Sequence, residues 1–177
     1  MSSTKFASSP RHDRDRAGAH EQAVASAAVG MGQIAILTPD GVGHAVLGSC
    51  VGLTLHDTKL GYAAIAHIVL PSSENRTGTV GKFADTAIDH MLEQLRALGA
   101  EPARLTAKLA GGASMFETKG PFQIGKQNVE AVLARLAAKR VRTGGEHVGG
   151  VTGRRITFEC RTGRMLVEVL GADPIVL

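Results

Sequence analysis

The spacing of apolar and polar residues predicts short strands separated by turns in the first half of the chain. Residues 33–37, 45–47 and 51–56 are apolar runs of strand length, with a turn signal at Pro39-Asp40-Gly41. Residues 62–70 form a longer run that is apolar on both faces of a strand. A strand covered on both sides lies inside a sheet, so this run is predicted to be central.

Two segments instead repeat their apolar residues at helical spacing. In the first, eight such residues precede the stop signal Gly99: Phe83, Ala84, Ala87, Ile88, Met91, Leu92, Leu95 and Leu98. The second predicted helix covers about residues 126–140. The remaining predicted features are a strand, a glycine-rich loop and a hairpin, at 105–110, 144–153 and 155–170.

This order of strands, helix, strand, helix and hairpin is not a regular βαβ winding. It predicts an α+β, or mixed α/β, fold of packed, largely antiparallel β-sheets flanked by two main helices. Residues 1–28 are rich in Ser, Ala, His, Arg and Asp and cannot bury enough apolar surface to offset their ordering entropy. We therefore expect a flexible N-terminal tail at 1–28 and a single domain at 29–177.

Composition narrows the classes of function. The 177 residues are 44% hydrophobic but only 3% aromatic, and the net charge of +4 is spread along the chain. Scattered charge without aromatic stacking platforms argues against nucleic-acid binding. No apolar run approaches the roughly 20 residues that span a bilayer, so no membrane insertion is expected. Two cysteines make no disulfide framework, which favours a reducing compartment and a cytoplasmic location.

Cys50 is the first candidate for chemistry, because it lies in a turn of small residues between two apolar runs. Glycines at 48 and 52 leave a thiol accessible, and an imidazole beside it would make it a nucleophile. The alternative is that Cys50 is a small buried hydrophobe. Cys160 has no such turn and is predicted to be a structural cysteine.

Two histidines could serve Cys50. His67 follows it by seventeen residues on the predicted central strand, and nucleophile and base need to be neighbours only in space. A buried imidazole needs partners for both nitrogens, which fits a catalytic triad as well as a core histidine. His44, six residues before Cys50, would share a strand face with Val46 and approach the same site. Cys50, His67 and His44 could alternatively be three ligands of a zinc site with an open position.

Backbone groups complete the candidate site. Main-chain N–H groups around Ser49 and Val51 are predicted to hold an oxyanion. Gly111-Gly112 lacks the Lys-Ser/Thr ending of a phosphate-binding P-loop. It is better interpreted as a close approach of the backbone to the active site or to a substrate chain.

Five segments in order resemble the CheD family of bacterial chemotaxis proteins, the chemoreceptor glutamine deamidases. The likeness covers about residues 32–169. The segments are LGSCV at 47–51, HIVLP at 67–71, KFADTA at 82–87, AKLAGGASMF at 107–116 and IGKQNVEA at 124–131.

The resemblance implies packed β-sheets flanked by helices, akin to the catalytic domain of deamidating bacterial toxins. It implies hydrolysis of glutamine side chains of methyl-accepting chemotaxis receptors to glutamate, with no cofactor and no metal. Cys50 is then the nucleophile and His67 the base. The family's third catalytic member is a threonine six residues before the cysteine, where this chain has His44. A further implied partner is a CheC-like phosphatase of the phosphorylated response regulator.

Three alternatives stay open at this point. The same hydrolase chemistry could act on receptor glutamyl methyl esters. The protein could be a non-catalytic binder that controls a CheC-like phosphatase, with His44 marking weakened catalysis. The third alternative is the zinc site.

Overall fold

The computed structural model of the protein describes residues 22–74, 76–114 and 123–177. Within these ranges the chain forms nine strands, two α-helices and two short 3-10 helices. The strands are β1 Val24–Ala28, β2 Ile34–Leu47, β3 Val51–Asp57, β4 Ala63–Ile68, β5 Leu105–Gly111, β6 Arg142–Val148, β7 Arg154–Glu159, β8 Arg164–Val169 and β9 Ile175–Val176. The α-helices are α1 Ala84–Ala97 and α2 Ile124–Ala138, and the 3-10 helices are Val80–Lys82 and Pro102–Arg104.

The nine strands make one sheet in the order β6-β5-β3-β4-β2-β7-β8-β9, with β1 paired to β2. Only the pairs β1 with β2 and β5 with β6 are parallel, and all other pairs are antiparallel. β4 is buried at every residue and lies between β3 and β2, which confirms the predicted central strand. The predicted α+β fold with a largely antiparallel sheet and two main helices is confirmed, with one continuous sheet in place of separate ones.

The two faces of the sheet bury two separate cores, because successive side chains of a strand point to opposite faces. The first core lies under α1 and α2 and includes Ala64, Ala66 and Ile68 of β4. The second includes Ala63 and Ile65 of β4 together with side chains of β2, β7 and β8. His67 alternates with Ile68 and Ala66, so its side chain is on the face of the second core.

Both helices bury an apolar stripe against the first core. In α1 the buried positions recur at three- and four-residue intervals from Ala84 to Leu95. Gly99, at φ +90°, ends this helix as predicted, since glycine adopts that conformation without steric cost. In α2 the buried stripe contains one polar residue, Asn128, which is 0% exposed. No helix among the described residues is long and apolar enough to cross a membrane.

The structure differs from the sequence-based expectation in three places. Pro39-Asp40-Gly41 lies inside β2, where the strand exchanges β4 for β7 as its antiparallel partner, so that the predicted turn is a change of partner within one strand. Residues 144–148 of the predicted glycine-rich loop belong to β6, an edge strand with mostly exposed side chains whose glycines hid its pattern. Residues 24–28, predicted to belong to the tail, form β1, which is held by backbone pairing to β2 although its side chains are mostly exposed. Residues 1–21 of the predicted tail lie outside the described residues.

Candidate active site

Cys50 ends a three-residue turn, residues 48–50, between β2 and β3; we refer to it as the Cys50 turn. Each of its three carbonyl oxygens accepts a hydrogen bond. The donors are Ala113 N to Gly48 O (2.9 Å), Asn128 Nδ2 to Ser49 O (3.0 Å) and Gly112 N to Cys50 O (2.8 Å). The backbone of the turn is therefore fixed through its acceptors by β5, the residues after β5, and α2.

The N–H donors of the same turn are not used in this way. Among the described residues, the Ser49 N–H has no hydrogen-bond partner, and the Cys50 N–H contacts only its own thiol. Unpaired backbone donors beside a nucleophile are the groups that stabilise a tetrahedral oxyanion. Val51 is different, because it is the first residue of β3 and lies opposite Ile68 and Gly111 in the sheet. The candidate oxyanion donors are thus the N–H groups of Ser49 and Cys50.

Gly111 and Gly112 lie against the backbone of the Cys50 turn. A Cβ on Gly111, at φ +112°, would lie 2.2 Å from Cys50 O, so no residue with a side chain fits there without movement. This is the close backbone approach expected from the sequence. The Gly112 N–H donates to Cys50 O at 2.8 Å, so Gly112 anchors the turn.

Strand register places Cys50 and His67 near each other on one face of the sheet. Gly52 pairs with His67 across β3 and β4, and Cys50 precedes Gly52 by two residues. A Cβ on Gly52 would meet Ile156 and Leu47, which belong to the second core together with Cys50. Cys50, one residue before β3, therefore lies close to the diagonal position relative to His67, from which side chains of neighbouring strands can reach each other.

The His67 ring is oriented by the main chain. Its Nδ1 lies 3.1 Å from Val29 O, and a carbonyl can only accept, so Nδ1 carries the proton and Nε2 is the basic nitrogen. Within the described residues, no hydrogen bond joins this ring to the Cys50 thiol. Sequence reasoning did not find the Val29 carbonyl, since no side-chain pattern marks a backbone acceptor.

Burial keeps both groups neutral. The Cys50 residue is 9% exposed, and desolvation raises the pKa of its thiol above the ordinary value. Desolvation also lowers the pKa of His67, partly offset by the bond to Val29 O. The two shifts favour thiol and imidazole over thiolate and imidazolium. The arrangement therefore suits proton transfer during attack on a substrate, in place of the thiolate at neutral pH that the sequence suggested.

A cavity of about 670 Å³ opens beside His67. Its lining is mainly apolar and includes Met31 and Val46, which are 72% and 68% exposed, together with His44. Cys50 is not among the residues that line it. The cavity offers an apolar surface to a substrate chain at the imidazole side of the site.

His44 is one of the residues that line the cavity beside His67. It lies on β2 on the same face as Val46, as expected, and its Nδ1 is 3.2 Å from Thr157 Oγ1. The alternating residues Ala45 and Leu47 enter the core that contains Cys50, so the His44 ring is on the other face of β2. The hydrogen bond that orients His67 comes from Val29 and not from His44. No group of three metal-binding side chains occurs in the described part of the chain, so the proposed zinc ligands do not converge.

Cys160 shows what a purely structural cysteine looks like in this fold. It is 1% exposed within the second core, and burial raises its pKa to about 12. Its own N–H donates to Gly41 O at 2.9 Å, whereas the Cys50 N–H has no main-chain partner among the described residues. The contrast supports Cys50 as the reactive thiol.

Asn128 is a second residue that sequence reasoning missed in its own right. Its Nδ2 donates to Ser49 O and to Val69 O at 2.9 Å, which joins the Cys50 turn to the segment after β4. The signal was available, because Asn128 is a polar residue at a position of α2 that Val132 and Leu136 continue as an apolar stripe. A buried amide in such a stripe needs specific partners.

Comparison with known proteins identifies the family of this chain. The family model described as CheD chemotactic sensory transduction matches residues 69–169. The "Chemoreceptor glutamine deamidase CheD" of Thermotoga maritima is 41% identical over 144 residues, which is 81% of this chain and 91% of that protein. The protein of the same name from Halalkalibacterium halodurans is 40% identical over 80% of this chain and 92% of its own length. The chain belongs to the CheD family.

One solved structure has a weak likeness to this chain. The crystal structure of a Neisseria meningitidis protein has a TM-score of 0.38 at 16% identity, covering 73% of this chain and 63% of that chain. A likeness of this strength is too weak to carry a conclusion about fold or function.

Proposed function

We propose that this protein hydrolyses glutamine side chains of chemoreceptors to glutamate and releases ammonia, with Cys50 as nucleophile and His67 as general base. The names of its CheD relatives supply the reaction and the substrate class. The observation that carries the residue assignment is the His67 Nδ1 bond to Val29 O, which leaves Nε2 as a base on the face that holds Cys50. The methylesterase alternative has no feature of this site in its favour.

In the first half of the reaction, the Cys50 sulfur attacks the carboxamide carbon while its proton passes to His67 Nε2. The C=O bond becomes a tetrahedral oxyanion, which the Ser49 and Cys50 N–H groups stabilise, typically by about 3 kcal/mol per donor. Because both groups start neutral, the charge appears only as the new C–S bond forms. The hydrogen bonds to the oxyanion are therefore stronger in the transition state than in the ground state, and they lower the activation barrier.

In the second half, the oxyanion collapses and the C–N bond breaks. The proton on His67 goes to the departing nitrogen, so ammonia leaves and a thioester to Cys50 remains. His67 then removes a proton from water, which attacks the thioester carbon. The C–S bond breaks, glutamate is released, and the proton returns to the Cys50 sulfur.

The cavity beside His67 is where we place the receptor chain around the target glutamine. Its apolar lining and the exposed Met31 and Val46 at its edge support contact with a protein surface in preference to a small free amide. Arg155 is the cationic side chain of the lining. A protein substrate seated there would bring one glutamine side chain to the Cys50 turn.

Two finer points belong to the same proposal. Membership of the CheD family supports a CheC-like phosphatase as a second protein partner, and binding of a purified partner measures it. Two cysteines without a disulfide support a cytoplasmic location.

The test is mass spectrometry of a glutamine-containing receptor fragment after incubation with wild type, Cys50→Ala and Cys160→Ala. We expect wild type to convert glutamine to glutamate, with a mass increase of about 1 Da per site, and Cys50→Ala to lose at least about 10³-fold in rate. Cys160→Ala, a core truncation, should keep the rate and lose only stability. Conversion by Cys50→Ala at the wild-type rate would refute the nucleophile, and no conversion by wild type would refute the deamidase.

A further inference from the structure

We propose that Asn128 is a positioning residue of the active site, which aims the Cys50 N–H at the oxyanion by holding the Ser49 carbonyl. This inference rests on the proposed function and adds a residue outside the nucleophile and the base. Asn128 is fully buried on α2, and its side chain touches neither the substrate cavity nor the thiol by a hydrogen bond. It can act only through the backbone that it holds.

The orientation of the Asn128 amide is settled by its partners. Both atoms that lie within hydrogen-bond distance of Nδ2, Ser49 O at 3.0 Å and Val69 O at 2.9 Å, are carbonyl oxygens. Carbonyl oxygens only accept, so the side-chain nitrogen and not the oxygen must face them. Both N–H donors of the amide are thus used on the active-site backbone.

Peptide planarity carries the effect of this bond to the oxyanion donor. In a trans peptide the C=O of one residue and the N–H of the next point in opposite directions, and the described residues contain no cis peptide. Since Ser49 O points at Asn128, the Cys50 N–H points away from Asn128. It meets the Cys50 sulfur there, which is where the oxyanion will form.

The second hydrogen bond of the Asn128 amide connects the Ser49–Cys50 peptide to the segment that follows His67. Val69 follows His67 by two residues, and its own N–H donates to Lys82 O at 2.9 Å. One side chain therefore bridges the backbone next to the nucleophile and the backbone next to the base. The amide sets the two relative to each other, as a preorganised site requires.

Stability alone does not explain an amide at this position. Asn128 Oδ1 is buried and has no hydrogen-bond partner among the described residues, and an unpaired buried acceptor is destabilising. Ser49 and Val69, by contrast, are only half-buried, so their carbonyls could be hydrated if the amide were absent. The unpaired Oδ1 is destabilising, so the amide at this position is best explained by its two N–H donors, which hold the active-site backbone.

The test compares Asn128→Leu, which has a similar volume and no donors, with wild type on the receptor fragment. We expect kcat to fall about 10- to 100-fold with KM within about twofold, because a displaced oxyanion donor affects only the transition state. The rate of Cys50 alkylation by iodoacetamide should stay within about threefold, since that displacement forms no oxyanion. Asn128→Asp, which keeps the shape but replaces the donors by acceptors, should show the same pattern.

Thr54→Val is the matched control. Thr54 is also 0% exposed and polar, and it lies on β3 with its hydroxyl on Lys108 O. This variant should lower stability slightly and leave kcat unchanged. Unchanged kcat in a folded Asn128→Leu, an equal loss in alkylation rate, or failure of both Asn128 variants to fold would overturn the inference. Inactive wild type would instead refute the proposed function.

Discussion

The two ends of β3 carry turns that use their polar groups in opposite ways. At the start, the Cys50 turn has all three carbonyls bonded, while its Ser49 and Cys50 N–H groups have no partner in the described part of the chain other than the Cys50 thiol. At the end, the Asp57 carboxylate accepts from the N–H groups of Lys59 and Leu60 at 2.9 and 3.1 Å and from the Arg104 guanidinium. Among the described residues, the Cys50 turn leaves N–H donors unpaired, whereas the Asp57 turn pairs its Lys59 and Leu60 donors with a carboxylate.

The two turns at the ends of β3 therefore have different purposes: the Asp57 turn stabilises the fold, and the Cys50 turn belongs to the candidate site. The Asp57 turn is charge-compensated, with Arg104 Nη2 2.9 Å from the carboxylate. The Cys50 turn forms no ion pair with any residue that the structure describes, and burial favours the neutral forms of its thiol and the nearby imidazole. Its unpaired donors acquire a partner only when an oxyanion forms. Substitutions at the two ends should therefore affect different measurements.

The largest effect that we expect on stability comes from Asp57→Asn. The amide oxygen can keep the backbone bonds to Lys59 and Leu60, but the amide nitrogen then faces the Arg104 guanidinium. Two charge-assisted hydrogen bonds are lost at a carboxylate that is fully buried. We expect the free energy of unfolding to fall by about 2 kcal/mol, measured by urea denaturation, with kcat unchanged.

Glu101→Gln is the control for this prediction. Glu101 also pairs with Arg104, at 3.0 Å, but its side chain is 71% exposed. Such a surface pair should contribute less than about 0.5 kcal/mol. If kcat of Asp57→Asn fell together with its free energy of unfolding, the two ends of β3 would be coupled. That result would contradict the separation of the two turns.

The fold was largely predictable because its core elements have strong periodicity. The apolar run of β4 and the stripe of α1 identified a central strand and a covering helix. The edge strands β1 and β6 were missed because they have exposed side chains, and backbone pairing to a neighbour, which leaves no mark in the sequence, holds them in place.

The candidate site likewise has a part that the sequence could predict and a part that it could not. Cys50 and His67 could be named because reactive side chains stand out from an apolar context. The orienting carbonyl of Val29 and the hydrogen bond that occupies the Gly112 N–H are main-chain contacts between distant segments, so no residue type reports them. The strand face of His44 was inferred correctly, whereas the main-chain acceptor that holds the His67 ring left no sign near His44 in the sequence.

The next prediction uses the pH dependence of the Cys50 end. The active form needs neutral His67, and burial lowers the pKa of His67 below its ordinary value of 6.5. We therefore expect kcat/KM to be constant from pH 8 down to about 6.5 and to fall tenfold per unit only below the lowered pKa. The same shift means that the unfolded chain binds the proton first, so the free energy of unfolding should also decrease as the pH falls below 6.5.

Alkylation of Cys50 by iodoacetamide, followed by mass spectrometry of its peptide, provides the control for this pH profile. Burial raises the pKa of the thiol, so the alkylation rate should still be increasing at pH 9. A rate that is already constant at pH 7 would mean that a thiolate–imidazolium pair exists before substrate binds. That result would contradict the neutral pair and the mechanism built on it.

The smallest expected effect is that of His44→Thr, which restores the residue that the family has at this position. Because Val29 O orients His67 and the His44 ring contacts Thr157 Oγ1 on β7, the substitution should change kcat by no more than about threefold. Its effect on KM can be larger, since His44 lines the cavity assigned to the receptor chain. Steady-state kinetics on the receptor fragment separate the two constants, with Thr157→Val as the control that removes the same hydrogen bond while keeping His44. A kcat that rises tenfold or more in His44→Thr, but not in Thr157→Val, would show that a threonine at position 44 acts on His67 in a way that the Val29 carbonyl does not replace.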